Sequence, residues 1–409
     1  MTINQQGRVL SIDMLRGIAV ICMVLVHFPL MFWFLKFSPQ EASFGLAAAL
    51  DEFGIGYFKY VFPVFDCFAA PLFVMTSGMA VSLSVHRRRA RGVEESKTFR
   101  HELIRFVLLV LVGCAYSFHF GSWAYGVSWQ YVFMWSVLQN LALAGLVAYF
   151  LSKTKVRYQL LTAGLIFTLT PLLQIATDAY TIGSLASPEL VELMKSSPVL
   201  CYSLMAFVTG PGAPIFPWIG FGVVGCALGS LLARKEFIKS IPYQFLLGIA
   251  FIITSQIPAI LEALGVTITS GYFLGITQRH PASIFFILGA IGINLLLSSA
   301  FFSLENRFDL STRRLRHPVG YLVTCGQTSL MIFILNDVLS FRVAGPLGAC
   351  GRFNFVQMLV ITLFYFIFQY FLSLGWLDFL RRRNFRYFEL CFWIGYCTTA
   401  ELVLMGVGL

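Results

Sequence analysis

Charge is what this sequence has least of. Asp, Glu, Lys and Arg make up 12% of its 409 residues, about half the roughly 25% of a water-soluble domain. A soluble fold so poor in charge, and 58% hydrophobic, would expose large apolar patches and aggregate. Metal-ligand spacing is missing too. The nine cysteines form no C-x-x-C pair and no Cys/His cluster, so no metal is expected. Most sit in apolar runs (Cys22, Cys67, Cys114, Cys226, Cys325, Cys391, Cys397), where small buried hydrophobes belong. No GxxxxGK[ST] phosphate loop is present, which leaves no nucleotide-driven engine. No motif recurs in two halves, which argues against a transporter built on inverted repeats.

Long apolar runs are what is there. A bilayer core about 30 Å thick needs roughly 20 apolar residues of helix. Eleven such runs are read, near 11–35, 57–85, 101–120, 129–152, 158–177, 212–233, 241–264, 282–303, 318–341, 354–377 and 387–407. The fold class expected is all-α: a polytopic integral membrane helical bundle of about 10–11 transmembrane helices, forming one domain over 1–409. The first run is too long for the apolar core of a cleaved signal and no small-residue cleavage site follows it, so it is read as a permanent span.

The loops set the orientation. Those after the second, fourth, sixth, eighth and tenth spans ("HRRRARGVEESKTFR", "KTKVR", "RKEFIK", "ENRFDLSTRRLRH", "RRRNFR") hold 20 of the 29 Lys and Arg. The alternate loops hold only Lys36, Lys59, Lys195, Arg279, Arg342 and Arg352. By the positive-inside rule this puts the N-terminus in the cytoplasm. The net charge of +10 is thus a topology signal and not a nucleic-acid footprint. The longest outer loop spans about 178–211.

Ionisable groups inside spans are costly and mark functional positions. "IDMLRGIAVICMVLVHF" holds Asp13, Arg16 and His27. Asp13 and Arg16 stand one turn apart and can pair. Arg16 and His27 are eleven residues apart, three turns plus about 20°, so they share a face with His27 about 16 Å deeper. A neutral histidine at that depth suits general-base work; the alternative is a hydrogen bond to a neighbouring helix. Asp66 in the second span could orient His27, a substrate hydroxyl or a neighbouring cation. Arg87, Arg88, Arg89, Arg91, Lys97, Arg100, His101 and Arg105 form the densest cationic patch, able to take phosphates or simply to fix topology. Further in-membrane polar candidates are Gln139, Asn140, Asn336 and Asp337. Gly220, Gly222, Gly225 and Gly229 admit a close approach by another backbone or a cofactor. His119 and Trp123 lie at the outer end of the third span.

These residues resemble a family. "RVLSIDMLRGIAVICMVLVHF" is similar to the opening of the transmembrane acyltransferase superfamily, in particular the acyltransferase family 3 pattern of an arginine, ten residues and a histidine; Arg16 and His27 match it. "APLFVMTSGMAVSLS", "VLQNLAL", "FPWIGFGVVGCALG" and "GQTSLMIFIL" resemble, in order, motifs of the branch containing heparan-alpha-glucosaminide N-acetyltransferase. Two motifs depart: Asn336 stands where a histidine is common, and Asn140 where an arginine is. The branch's outer-loop histidine after the first span is absent, which favours His27 as the base.

The resemblance implies a membrane-embedded O- or N-acyltransferase. It would move an acyl group, usually acetyl, from cytosolic acetyl-CoA to a hydroxyl or amine of a carbohydrate or envelope acceptor at the outer face, in a bacterial inner membrane. His27, Arg16 and Asp66 are the expected catalytic set. Arg87, Arg88, Arg100 and Arg105 are the expected donor-binding set. His27 would act as base, or carry the acyl group itself. The competing readings are a transporter or flippase of a lipid- or sugar-linked substrate, and a non-catalytic membrane subunit.

Overall fold

The computed structural model describes residues 9–33, 62–125, 135–176, 214–266, 282–307, 318–345, 347–353, 355–382 and 387–404, with positions 132, 196–197 and 206–207. The expected outer loop over 178–211 lies almost wholly outside the described residues. Each of the eleven apolar runs carries a helix. In order they are α1 Leu10–Phe28, closed by a π turn over Pro29–Trp33, α2 Phe62–Ala90, α3 Glu95–Tyr125, α4 Val137–Leu151 and α5 Val156–Ala176. Then come α6 Ile215–Ala233, α7 Phe237–Ser255, α8 Ile257–Ala263 and α9 Ile284–Arg307. The last are α10 Pro318–Gln327, α11 Ser329–Asp337 with a π stretch over Val338–Ala344, α12 Phe355–Arg381 and α13 Phe388–Leu404. Helix is the form such runs must take, because a bilayer core offers backbone N–H and C=O groups no water. Among the described residues eight spans are long and apolar enough to cross a membrane, α7 and α8 counting as one, and α10 with α11 makes a ninth. The protein is a multi-pass integral membrane bundle.

The run expected as one span over 318–341 is broken: the chain bends by 77° between α10 and α11. Thr328 between them has non-helical angles (φ −107°, ψ 20°). Its hydroxyl lies 3.0 Å from the Thr324 carbonyl and 2.9 Å from Ser373 Oγ of α12. The hydroxyl shares the Thr324 carbonyl with the Thr328 N–H, 3.1 Å away, a back-bond of the kind that often bends a helix.

The chain divides into two compact units, one of Met1–Ala70 with Leu304–Asn384 and the other of Pro71–Ser303 with Phe385–Leu409. In the second, α2 and α6 lie backbone against backbone. A Cβ on Gly225 would meet the Met75 carbonyl oxygen at 1.9 Å, one on Gly229 that of Met79 at 2.4 Å, and one on Gly78 that of Gly222 at 2.0 Å. Gly222 itself faces the Ala144 methyl of α4, and Gly220 the Phe167 ring of α5. The glycine row expected to admit a backbone or a cofactor is therefore filled by protein on all four positions. Its polar neighbours are paired as well: Ser82 with Ser230 at 2.9 Å, and Gln159 Nε2 donating to Ser230 at 3.1 Å.

In the first unit α1 packs on α10 with the same closeness. A Cβ on Gly17 would meet the Leu322 carbonyl oxygen at 2.1 Å, and one on Gly326 that of Asp13 at 1.8 Å. The free N–H groups that open α1 are met from far along the chain. Glu305 accepts from Leu10 N at 3.0 Å, from Ser11 N at 2.9 Å and from the Ser11 hydroxyl. A carboxylate at a helix N-terminus satisfies orphan donors and complements the dipole. At the other end, Met31 and Phe32 carbonyls accept from Gly351 N (3.0 Å) and Phe353 N (3.3 Å).

Helix α12 shows the solvent this unit is built for. Val356, Val360, Leu363, Phe364, Ile367, Phe368 and Phe371 are exposed, whereas Thr362, Tyr365, Gln369 and Ser373 are buried. Apolar outside and polar inside is the arrangement of a helix in lipid.

Candidate active site

His27 lies on the last turn of α1. Its Nδ1 is 2.9 Å from Asn336 Nδ2 and 3.4 Å from Asp337 Oδ1, and Asn336 Nδ2 donates to Asp337 Oδ1 at 3.0 Å. The three side chains thus form one cluster, with two members from the end of α11. The Asp337 side chain is 3% exposed while that of His27 is 34% exposed. The imidazole is held at Nδ1 and remains partly exposed. Nδ1 accepts from Asn336 in the Nε2–H tautomer, and donates to Asp337 in the Nδ1–H tautomer. In the second form Nδ1–H and Asn336 Nδ2–H would both donate across 2.9 Å, so that form requires the Asn336 amide to move off Nδ1 and keep only its bond to Asp337.

The broken span makes this cluster. Gly17 faces Leu322 and Gly326 faces Asp13, so numbering rises along α1 as it falls along α10: the two helices are antiparallel. Continued straight, α10 would carry position 336 ten residues past Gly326 and off the start of α1, about 36 Å along the axis from His27. The chain instead bends by 77° at Thr328, and beyond that bend Asn336 meets His27.

Two more expected residues stand at the other end of α1. Asp13 is buried and accepts from Gln327 Nε2 of α10 at 3.1 Å. Arg16, one turn on, is half-buried. Asp66 belongs to α2, but its side chain lies outside the described residues, as do those of His119 and Trp123. The carboxylate described against His27 is that of Asp337.

The remaining candidates belong to the second unit. Arg87, Arg88 and Arg89 occupy the last turn of α2, where cations complement the helix dipole. Gly92, at φ +71°, ends that helix. Gly92 N donates to the Arg89 carbonyl at 3.0 Å and Val93 N to that of Arg88 at 3.0 Å, the bond pattern of a Schellman cap. Arg100 is exposed. Arg105 lies 3.8 Å from Glu102, and His101 Nδ1 is 2.7 Å from the Tyr387 hydroxyl of α13. At the same rim Lys153 bonds Glu95 and covers the Tyr149 ring at 4.3 Å; the Glu95 bond raises the Lys153 ammonium above its ordinary value. Gln139 bonds both across to α3, where its Nε2 donates to Ser117 at 3.5 Å, and within its own turn. Its Oε1 accepts from Ser136 N at 2.9 Å while Ser136 Oγ accepts from Leu138 N at 3.3 Å, the capping box that starts α4. Asn140 beside it is fully buried. Among the described residues no group of three His, Cys, Asp or Glu side chains could hold a metal ion.

Sequence reasoning missed Glu305, Gln327, Ser340 and Tyr365. The Tyr365 signal was legible. Thr362, Tyr365, Gln369 and Ser373 recur every three or four residues in an otherwise apolar run, which marks one helix face. Glu305, a lone acid at the end of a span, gave no such pattern.

Comparison with known families places the chain. The family model described as heparan-alpha-glucosaminide N-acetyltransferase, catalytic, matches residues 8–260, well over half of the sequence. Among curated proteins none matches.

Proposed function

The chain belongs to the heparan-alpha-glucosaminide N-acetyltransferase catalytic family, a family of membrane acetyltransferases, and we propose that it moves an acetyl group from cytosolic acetyl-CoA to a hydroxyl or amine of a carbohydrate or envelope acceptor at the outer face. The observation that supports this reading best is the cluster of His27 with Asn336 and Asp337. For Nε2 to take the acceptor's proton, Nδ1 carries its hydrogen to Asp337 while Asn336 Nδ2 moves off Nδ1 and keeps its bond to Asp337, whose charge stabilises the imidazolium. The acceptor's oxygen or nitrogen then bonds to the thioester carbonyl carbon, the C–S bond breaks, and His27 returns the proton to the departing thiolate. Arg16 stands on the donor side of His27. Arg87, Arg88, Arg100 and Arg105 supply guanidinium groups for the phosphates of the donor. The chain 1–409 works as one catalytic domain in a bacterial inner membrane.

The test is release of free CoA thiol by purified protein in liposomes, supplied with acetyl-CoA and a mixed extract of envelope glycans and lipids. The wild type is expected to release thiol, and His27→Ala to lose about 10²–10⁴-fold in turnover while keeping its helical content. No release with acetyl-CoA or with longer acyl-CoAs would overturn the reading and favour a transporter.

A further inference from the structure

Three buried polar atoms in the helices that carry the His27 cluster and in their neighbour α12 have no hydrogen-bond partner: Asn336 Oδ1, Ser340 Oγ and Tyr365 Oη. Their residues are 0%, 1% and 6% exposed. Buried polar groups are almost always paired, and an orphaned one costs about 1–3 kcal/mol. Their lone pairs and hydroxyl hydrogens are therefore available to a bound molecule. Ser340 stands three residues beyond Asp337, in the π stretch that continues α11. Tyr365 comes from α12, its ring 4.5 Å from that of Phe28, the residue next to His27, and its phenol is within electrostatic range of Asp337.

The three atoms differ in what they can do. The amide oxygen of Asn336 only accepts, and the hydroxyls of Ser340 and Tyr365 can donate. Acyl transfer places matching demands on a site. The acceptor brings an O–H or N–H, and the thioester carbonyl oxygen gains negative charge as the new bond forms.

We infer that Tyr365 and Ser340 donate hydrogen bonds to the acyl oxygen in the transition state, and that Asn336 Oδ1 receives a hydrogen from the acceptor molecule. The inference rests on the acyl-transfer reading above. As His27 Nε2 removes the acceptor's proton, the acceptor atom attacks the carbonyl carbon and the C=O electron pair moves onto oxygen. The two hydroxyls face that oxygen. When the pair returns, the C–S bond breaks and the thiolate leaves with the proton that His27 held. Such donors work best where water is excluded, and the low exposure of Ser340 and Tyr365 meets that condition.

Tyr365→Phe removes one oxygen and keeps the ring packed on Phe28; Ser340→Ala removes only the other hydroxyl. With acetyl-CoA and the glycan–lipid extract in liposomes, Tyr365→Phe is expected to lower kcat about 10²–10³-fold, the usual loss for one oxyanion donor. Donor KM should stay within about twofold, since the contact forms in the transition state. Ser340→Ala should lower kcat in the same sense, and it reads the same donor set if the tyrosine variant fails to fold. Variants that keep wild-type kcat, or that change only KM, overturn the hydrogen-bond role and leave the acyl-transfer reading standing. A wild type that releases no thiol overturns both.

Discussion

The first unit and the second both rest on helices pressed together through glycine, yet they use the closeness differently. Gly78, Gly225 and Gly229 bring α2 and α6 backbone to backbone, and the nearby Ser82, Gln159 and Ser230 bond to one another. In that seam both serine hydroxyls and Gln159 Nε2 are spent on holding helices together, and Gln159 Oε1 is left over. Gly17 and Gly326 bring α1 and α10 equally close, but there the chain turns at Thr328. Beyond the turn Asn336 and Asp337 meet a partly exposed histidine, and the hydroxyls of Ser340 and Tyr365 have no partner. Small residues at a membrane interface buy proximity alone. Whether proximity becomes a scaffold or a site depends on what the next turn of chain does with its polar groups.

The contrast is broken most severely at Asp337. Asp337→Asn keeps the size of the side chain and removes the charge that favours Nδ1–H on His27. A fall in kcat of about 10²–10⁴-fold is expected, with the temperature of unfolding in detergent little changed; full turnover in this variant would separate Asp337 from the chemistry.

The two glycine seams can then be compared directly. Gly326→Ala and Gly225→Ala each set a methyl against a backbone carbonyl that cannot swing away, at a cost of about 1–3 kcal/mol. Both should unfold at lower temperature. Only Gly326→Ala should also lower kcat, by about tenfold or more, because a 1 Å displacement of a positioning element can cost 10²-fold. Equal kcat values for the two variants would mean that the α1/α10 crossing does not position the cluster.

A smaller effect is expected from Glu305→Gln. The amide keeps one acceptor oxygen and loses the charge at the start of α1, which should cost about 1–2 kcal/mol of stability. Thermal unfolding of the two proteins side by side would measure it. Smallest is the joint neutralisation of Arg87, Arg88 and Arg89 to Gln in the second unit. Donor KM should rise a few-fold, more so at low salt, with kcat nearly constant. An unchanged KM would leave these arginines as complements to the end of α2.

Much of this was readable from the chain. The class followed from length of apolar run and scarcity of charge, since lipid allows few other solutions. Arg16 and His27 were legible because two ionisable residues eleven apart on one span fall on one helix face. Asn336 and Asp337 were legible as polar residues in an apolar run. Their partner was not, because nothing local in "GQTSLMIFILND" says that the helix turns at Thr328. Gln139 was legible as a polar group in an apolar run, but its part in a capping box was not, because that depends on where α4 begins. Glu305 was invisible, since a cap supplied from nearly three hundred residues away has no local spacing.

Sequence by itself determined that this chain lives in a membrane as helices and that α1 carries a histidine deep along the face of Arg16. The reason is that hydropathy and helical period act over a few turns. The tertiary structure decided which carboxylate His27 meets, which glycines bind helices together, and which hydroxyls stay unspent. Those depend on one kink of 77° and on contacts hundreds of residues apart, and no periodicity in the chain encodes them.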